Sequence, residues 1–267
     1  MTRPRPRRSC LAVPASSPRK MQKAAACSAD QVFFDLEDAC APSEKEPARG
    51  LVVEALTARD FGAKIRSVRV NGVTTRWCYG DLVQLVTDIG RRIDTIILPK
   101  VEEASHVRFV AHLLSGLERD LGLPRPIGLE LLIESPRGAV ALHEICRASP
   151  RIEAIIFGPG DHAANLGLAQ VDIGAPDARC PGDQWHWVMS QIANHASAAG
   201  AQAIHGPNGD FNDERADRDS AVRVKLLGFD GKSCIHPNQI PWANDTVKST
   251  PSGMKQTSCQ AKWREGC

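Results

Sequence analysis

The sequence predicts an α/β protein of the (β/α)8, or TIM-barrel, class. Eight short apolar runs alternate with helix-sized segments. Polar residues recur where run after run ends: Glu37, Asp38, Arg69, Lys100, Glu134, Asp161, His205 and His236. Closing parallel strands into a barrel would bring those ends to one face, and burial alone would not arrange that. No long polar linker divides the chain, so one domain over 9–244 is expected, between a basic tail (1–8) and a polar tail (245–267). A doubly wound open sheet is the alternative architecture.

Residues 9–13 (SCLAV) predict the first strand. Ser17 before Pro18 reads as an N-cap followed by proline at the first helical position, opening a helix to about Ser28. Residues 31–36 (QVFFDL) predict the second strand, which ends among Asp35, Glu37 and Asp38. Ser43-Glu44-Lys45-Glu46 resembles a capping box and opens a helix to about Leu56. Residues 65–70 (IRSVRV) alternate as a third strand carrying Arg69, and a helix is expected over 79–91. Residues 94–98 (DTIIL) are the fourth strand, closed by Pro99-Lys100 and followed by an amphipathic helix over 102–121.

Residues 127–133 and 152–157 predict strands five and six, with one helix-sized segment between them. The first run delivers Glu134; the second passes through Gly158-Pro159-Gly160 and delivers Asp161. Two carboxylates at neighbouring strand ends repel, and a hard divalent cation or a shared proton is the usual relief. Taken singly, Glu134 could instead serve a helix N-terminus and Asp161 could be an N-cap. Residues 167–182 read as a loop, 184–199 as a helix, 201–204 as strand seven, 213–227 as a helix and 229–235 as strand eight, ending in His236-Pro237.

With 267 residues, 42% of them hydrophobic, the chain can bury a sizeable core. A net charge of +2 gives no reason to expect a nucleic acid or membrane partner, and the apolar runs are strand-sized, too short to span a bilayer. Residues 1–8 lack the apolar stretch of a secretory signal. They read as a disordered basic tail or, more sharply, one that steers CoA phosphates. Nine cysteines, an odd number with no CxxC pair, argue against a disulfide framework or zinc ribbon and for free thiols in a reducing cytoplasm.

These residues carry a family resemblance. FFDLEDACAPSEKEPAR (33–49), SVRVNG (67–72), IILPKVE (96–102), GLELLIESPRG (128–138), IIFGPGDHAANLG (155–167), GDQWHW (182–187), IHGPNGDFND (204–213) and LGFDGKSCIHPNQI (227–240) together span nearly everything from Arg8 to Asn244. The chain resembles the HpcH/HpaI aldolase, citrate lyase β-subunit-like CoA-ester lyases. GDQWHW and GPNGDF point to the L-malyl-CoA/β-methylmalyl-CoA-cleaving branch. The resemblance implies a TIM barrel, Mg²⁺ with Mn²⁺ as a substitute, homo-oligomers (trimers or hexamers), and reversible carbon–carbon cleavage of a 3-hydroxyacyl-CoA into a CoA thioester and a 2-oxo acid.

By the same resemblance Glu134 and Asp161 fall on the metal ligands and Arg69 on the substrate-binding arginine. Lys23, with Arg19 beside it, falls in the CoA-contacting segment, and Ile235-His236 on a substrate-contacting pair. Glu37 and Asp38 either cap the next helix or orient Arg69 and metal-bound waters. Cleavage of L-malyl-CoA would leave a thioester enolate, whose oxygen needs a fixed positive donor such as Arg69.

Two departures stand out. His205 occupies a position where malyl-CoA-cleaving members carry an aspartate, which is expected to alter the charge near the glyoxylate side. The family pattern also implies a C-terminal lid that brings an acid/base aspartate to a neighbouring subunit. No aspartate follows Asp245 here, so the lid is expected to be missing and activity reduced. A malyl-CoA-type thioesterase and a catalytically impaired CoA-ester-binding protein are the competing expectations.

Overall fold

The computed structural model describes residues 5–168, 173–174, 180 and 182–247. Eight parallel strands close into a barrel in sequence order. They are β1 (Ser9–Pro14), β2 (Gln31–Asp35), β3 (Ile65–Arg69), β4 (Thr95–Leu98), β5 (Gly128–Ile133), β6 (Ile152–Phe157), β7 (Gln202–His205) and β8 (Gly231–Cys234). Closure is made where Ser9, Cys10 and Leu11 of β1 pair with Lys232, Ser233 and Cys234 of β8. The barrel predicted from the alternation of runs is therefore the fold, and the open-sheet alternative is excluded.

The helices between strands are α1 (Pro18–Ala25), α2 (Lys45–Ala58), α3 (Cys78–Ile89), α4 (Ala104–Asp120), α5 (Pro136–Val140), α6 (Leu142–Cys146), α7 (Pro159–Leu166), α8 (His186–Ala199), α9 (Glu214–Leu226) and α10 (Gln239–Thr246). Three local expectations need correction. Ser17 flanks α1 but its side chain makes no capping bond, and Glu44, not Ser43, flanks α2, also without one. The segment between β5 and β6 is two short helices that meet at Ala141. By contrast, Ser135 and Asp213 do cap, accepting from the backbone N–H groups of Gly138 and Ala216. The helix α10 runs two residues into the segment expected as a polar tail; residues 248–267, where the missing lid and tail disorder were expected, lie outside the described residues.

Strand alternation sorts the barrel interior into three levels. At the N-terminal end Gln31, Ser67, Thr95, Glu130 and Gln202 point inward, and the middle is apolar, with Cys10, Phe33, Ile97, Leu132, Ala154, Ile156 and Ile204 packed together. The C-terminal end presents Asp35, Arg69 and Glu134 to a cavity. The opposite faces of the strands pack on the helices as the main core.

The N-terminal arginines are not a free tail from Arg5 onward, nor are they near the cavity. Arg7 is 2% exposed and plugs the barrel floor. Its guanidinium donates to Gln31, Glu130, Gln202 and Glu153 at 2.6–3.2 Å. Glu130, fully buried, also accepts from Gln31 and Thr95. Arg5 pairs with Asp94 and Glu153, and Arg8 with Asp30. An arginine run signals solvent exposure in sequence; here the buried carboxylate of Glu130 requires a buried cation.

The seven described cysteines are free. Burial pushes the Cys78 and Cys234 thiols up to about 12 and Cys146 up to about 11, which suits packing and not nucleophilic chemistry. Among the described residues no helix is long and apolar enough to cross a membrane.

Removing the plug tests this floor. Arg7→Met leaves Glu130 charged and unpaired, so stability should fall by about 3–5 kcal/mol in urea unfolding. Arg5→Ala, at a one-third exposed ion pair, should cost under about 1 kcal/mol. Equal losses for the two would contradict a structural plug.

Candidate active site

The C-terminal ends of the strands enclose a cavity of about 420 Å³. Asp35 from β2, Arg69 from β3 and Glu134 after β5 reach it, with Asp38 and Asp161 from the loops beyond β2 and β6. Each of the first three continues the inward set of its strand, because inward positions recur every second residue: Gln31-Phe33-Asp35, Ser67-Arg69, Glu130-Leu132-Glu134.

Asp35 and Arg69 form the rigid side. Arg69 Nε and Nη2 donate to the two oxygens of Asp35 at 2.7 and 2.5 Å. Asp35 also accepts the backbone N–H groups of Glu37 and Ala39, so it fixes both the arginine and the loop after β2. Burial works to raise the Asp35 carboxyl, but Arg69 and these backbone donors hold it below its ordinary range. Burial opposes the Arg69 charge too; Asp35, Glu37 and Glu134 outweigh it, and the guanidinium stays charged. Two of its five N–H groups go to Asp35, so others remain to meet a ligand. Asp35 was not singled out as a site residue from sequence, since a strand-end aspartate looks like a helix cap; its place inward of Glu37 was the available signal.

Glu134 and Asp161 form the second side. Glu134 is 4% exposed and accepts the backbone N–H of Lys100 at 2.7 Å. Burial, and then the charge of Glu37 with that of Asp161, pushes its carboxyl up to about 8, against the pull of Arg69. Gly158 lets β6 end against it: a Cβ there would lie 2.6 Å from the Glu134 Cβ. Asp161 stands in the first turn of α7, and its side chain caps nothing, because Gly158 flanks that helix. Asp161 Oδ2 is buried without a hydrogen-bond partner, as is Glu37 Oε2.

Lys100 bridges the two sides. Its Nζ lies 2.6 Å from Glu37, 3.4 Å from Asp38 and 3.9 Å from Asp161. Glu37 in turn lies 3.2 Å and Asp38 4.0 Å from Arg69 Nη1. Glu37 and Asp38 are thus ion-pair partners of Arg69 and Lys100 and do not cap α2.

A divalent oxygen-seeking cation fits this donor set. Glu134 and Asp161 project from consecutive strand ends, one carboxylate is buried and destabilised by its neighbours, and the other carries an orphaned oxygen. Mg²⁺ needs only one or two protein carboxylates, with waters and ligand oxygens completing its shell. No group of three or more His, Cys, Asp and Glu suited to holding a metal occurs among the described residues.

The remaining expectations divide. Ile235 lines the cavity. His236 does not; it stacks on Phe211 with centroids 4.6 Å apart at the rim, and its Nδ1 accepts the N–H of Asn238. Arg19 and Lys23 are exposed on α1, away from the cavity lining. The expected effect of His205 on cavity charge is corrected. On β7 the inward residues are Gln202 and Ile204, so His205 points outward, fully buried between Phe157 and Phe229. Burial, with the charges of Lys232 and Arg223, keeps it neutral.

A buried network missed in sequence holds the rim. Gln239 Oε1 accepts the N–H groups of Ile235 and His236, while its Nε2 donates to the Asn208 carbonyl and to Asp217. Lys232, fully buried beside Asp217, donates to Gly206, Asn208 and Ser220. The loops after β7 and β8 are therefore braced against each other, with Gly206, Pro207 and Ile235 facing the cavity.

The elevated Glu134 carboxyl makes metal-free stability depend on pH. Its folded-state value of about 8 lies above the ordinary 4.5, so the native state binds this proton more tightly than the unfolded chain. That stability is complete below about pH 4.5 and is lost as pH rises through about 8. In EDTA, the melting temperature of the wild type should fall relative to Glu134→Gln between pH 5 and pH 9, by roughly the margin this linkage sets. A constant gap between the two melting curves would contradict it.

Comparison with known proteins identifies the family. The family model for HpcH/HpaI aldolase/citrate lyase matches residues 8–237. L-malyl-CoA/beta-methylmalyl-CoA lyase of Cereibacter sphaeroides is 38% identical over 265 residues, 96% of this chain and 83% of that protein. The citrate lyase subunit beta of Leuconostoc mesenteroides subsp. cremoris is 34% identical, over 94% of this chain and 80% of that one. The crystal structure of the CitE protein of Mycobacterium tuberculosis in complex with magnesium and pyruvate superposes with a TM-score of 0.74 at 30% identity, covering 96% of this chain and 95% of that one. A complex of that protein with magnesium, acetoacetate and coenzyme A gives a TM-score of 0.72 at 29% identity, covering 91% and 82%. A barrel carrying this carboxylate and arginine pattern, matched by the family model over most of its length, belongs to the HpcH/HpaI aldolase/citrate lyase family of carbon–carbon lyases.

Proposed function

We infer that the protein is a Mg²⁺-dependent CoA-ester lyase that reversibly cleaves a 3-hydroxyacyl-CoA, such as L-malyl-CoA, to acetyl-CoA and glyoxylate. The observation that carries this reading is the facing of two sides in one cavity: Glu134 with Asp161, and Arg69 locked by Asp35. Similarity to a malyl-CoA lyase and to magnesium complexes with small oxo acids supports the substrate class and the metal.

Carbon–carbon cleavage of this substrate divides charge between two oxygens. As the C2–C3 bond breaks, the 3-hydroxyl gives up its proton and becomes the carbonyl of the oxo acid; the bonding pair passes to the thioester as an enolate, and one proton delivered to the enolate carbon completes the acetyl thioester. A cation held by Glu134 and Asp161 would supply Lewis-acid charge at the oxo-acid oxygens. Arg69 supplies permanent positive charge to the enolate oxygen. Because Asp35 holds the guanidinium in place beforehand, little reorganisation is needed as the charge develops. The apolar cavity floor of Phe33, Ile97, Leu132 and Ile156 limits water near the enolate carbon. Ile235 and the backbone after β8 bound the opposite side.

The test is a condensation assay with acetyl-CoA or propionyl-CoA and glyoxylate, with Mg²⁺ and with EDTA. Mg²⁺-dependent consumption of glyoxylate is expected, abolished by EDTA and by Glu134→Ala. Arg69→Lys keeps a charge but loses the two-point clamp, and should lower kcat about 100-fold or more. Release of free CoA from L-malyl-CoA without glyoxylate would instead mark a thioesterase. Ligand-induced thermal stabilisation without turnover would mark a CoA-ester-binding protein.

A further inference from the structure

Lys100 has a backbone conformation that its residue type does not favour. It is the one non-glycine residue among those described with a positive φ, at 53°. For a side chain bearing a Cβ, this left-handed region is strained. Two contacts account for its being held there. The backbone N–H of Lys100 points at Glu134 Oε1, 2.7 Å away, and the side chain turns back over the cavity mouth to Glu37, Asp38 and Asp161. One residue thus touches four of the five carboxylates around the cavity, while Arg69 is engaged with the fifth, Asp35. The side chain is half exposed, so its ammonium sits at the entrance and not in the barrel interior.

We propose that Lys100 is the built-in counter-cation of this carboxylate cluster and sets its affinity for a divalent cation. This rests on the metal reading of Glu134 and Asp161 given above. The backbone N–H orients the Glu134 carboxylate. The ammonium neutralises Glu37 and Asp38 and, close to Asp161, opposes a second cation. Two positive charges sharing one carboxylate group repel through a partly desolvated medium, where the effect of a single charge reaches about tenfold in binding. Binding of the cation is thereby weaker than the carboxylates alone would make it, and the loops after β2, β4 and β6 stay together without it.

The experiment is calorimetric titration with Mg²⁺ of the wild type, Lys100→Met, Lys100→Arg and Lys100→Gly at pH 9, where proton competition at Glu134 is small. Thermal melts in EDTA accompany it. Lys100→Met should bind Mg²⁺ about tenfold more tightly than wild type and melt lower in EDTA, and Mg²⁺ should raise its melting temperature more than that of the wild type. Lys100→Arg should restore both properties. Lys100→Gly relieves the left-handed backbone while removing the charge, so it should match the Met variant in Mg²⁺ affinity and melt higher in EDTA. Unchanged or weaker Mg²⁺ binding in both uncharged variants, with wild-type binding intact, overturns the role of Lys100 and leaves the metal reading standing. Failure of every form to bind Mg²⁺ overturns the metal reading, and the proposal with it.

Discussion

Five carboxylates share one end of the barrel: Asp35, Glu37, Asp38, Glu134 and Asp161. Mutual repulsion in a partly desolvated cavity is the constraint that the rest of this end answers. Arg69 takes Asp35 in a two-point clamp, and Lys100 spans Glu37, Asp38 and Asp161. Even so, Glu134 retains its proton to an unusually high pH, and oxygens of Glu37 and Asp161 lack hydrogen-bond partners. The balance is least complete around Glu134 and Asp161, and most complete at Asp35, which Arg69 and two backbone N–H groups satisfy. The proposed cation-binding half and the preorganised arginine half result from the same excess of negative charge.

The floor of the barrel solves a similar problem in the opposite way. Glu130 is wholly buried, but Arg7, Gln31 and Thr95 satisfy it. Nothing there is left for a ligand. Between floor and mouth lies an apolar layer that keeps the two polar systems apart. That separation lets one barrel use buried charge for cohesion at one end and for chemistry at the other, in keeping with the division of roles between the two ends of such barrels.

Lys232, on β8, together with Asp217, Asn208 and Gln239, acts on the site without lining the cavity. Gln239 alone holds the N–H groups of Ile235 and His236 and reaches across to the carbonyl of Asn208. The two rim loops it joins would otherwise be independent connections. A buried hydrogen-bonded network of this kind rigidifies what it connects, which suits a cavity wall that must hold its shape against a substrate.

The sequence by itself determined the barrel, the strands to within a few residues, and the arrival of Arg69, Glu134 and Asp161 at one face. Apolar periodicity and strand-end position are local properties, and each is written in a few consecutive residues. The family resemblance rested on motifs of the same local kind. Which polar residues belong together was legible only where they share that face. Arg7 read as part of a tail because its partner Glu130 lies more than a hundred residues away in an apolar run. His205 read as a cavity residue because strand-end position was visible, while the inward or outward sense of β7 depends on pairing with its neighbours. Asp35, Lys100 and Gln239 were ordinary strand-end or loop residues until closure of the barrel set them against Arg69, Glu134 and the rim. Tertiary structure alone decided those pairings, because ion pairing and burial depend on distance in space, and a one-residue change of register would turn the strand residues among them to the other face.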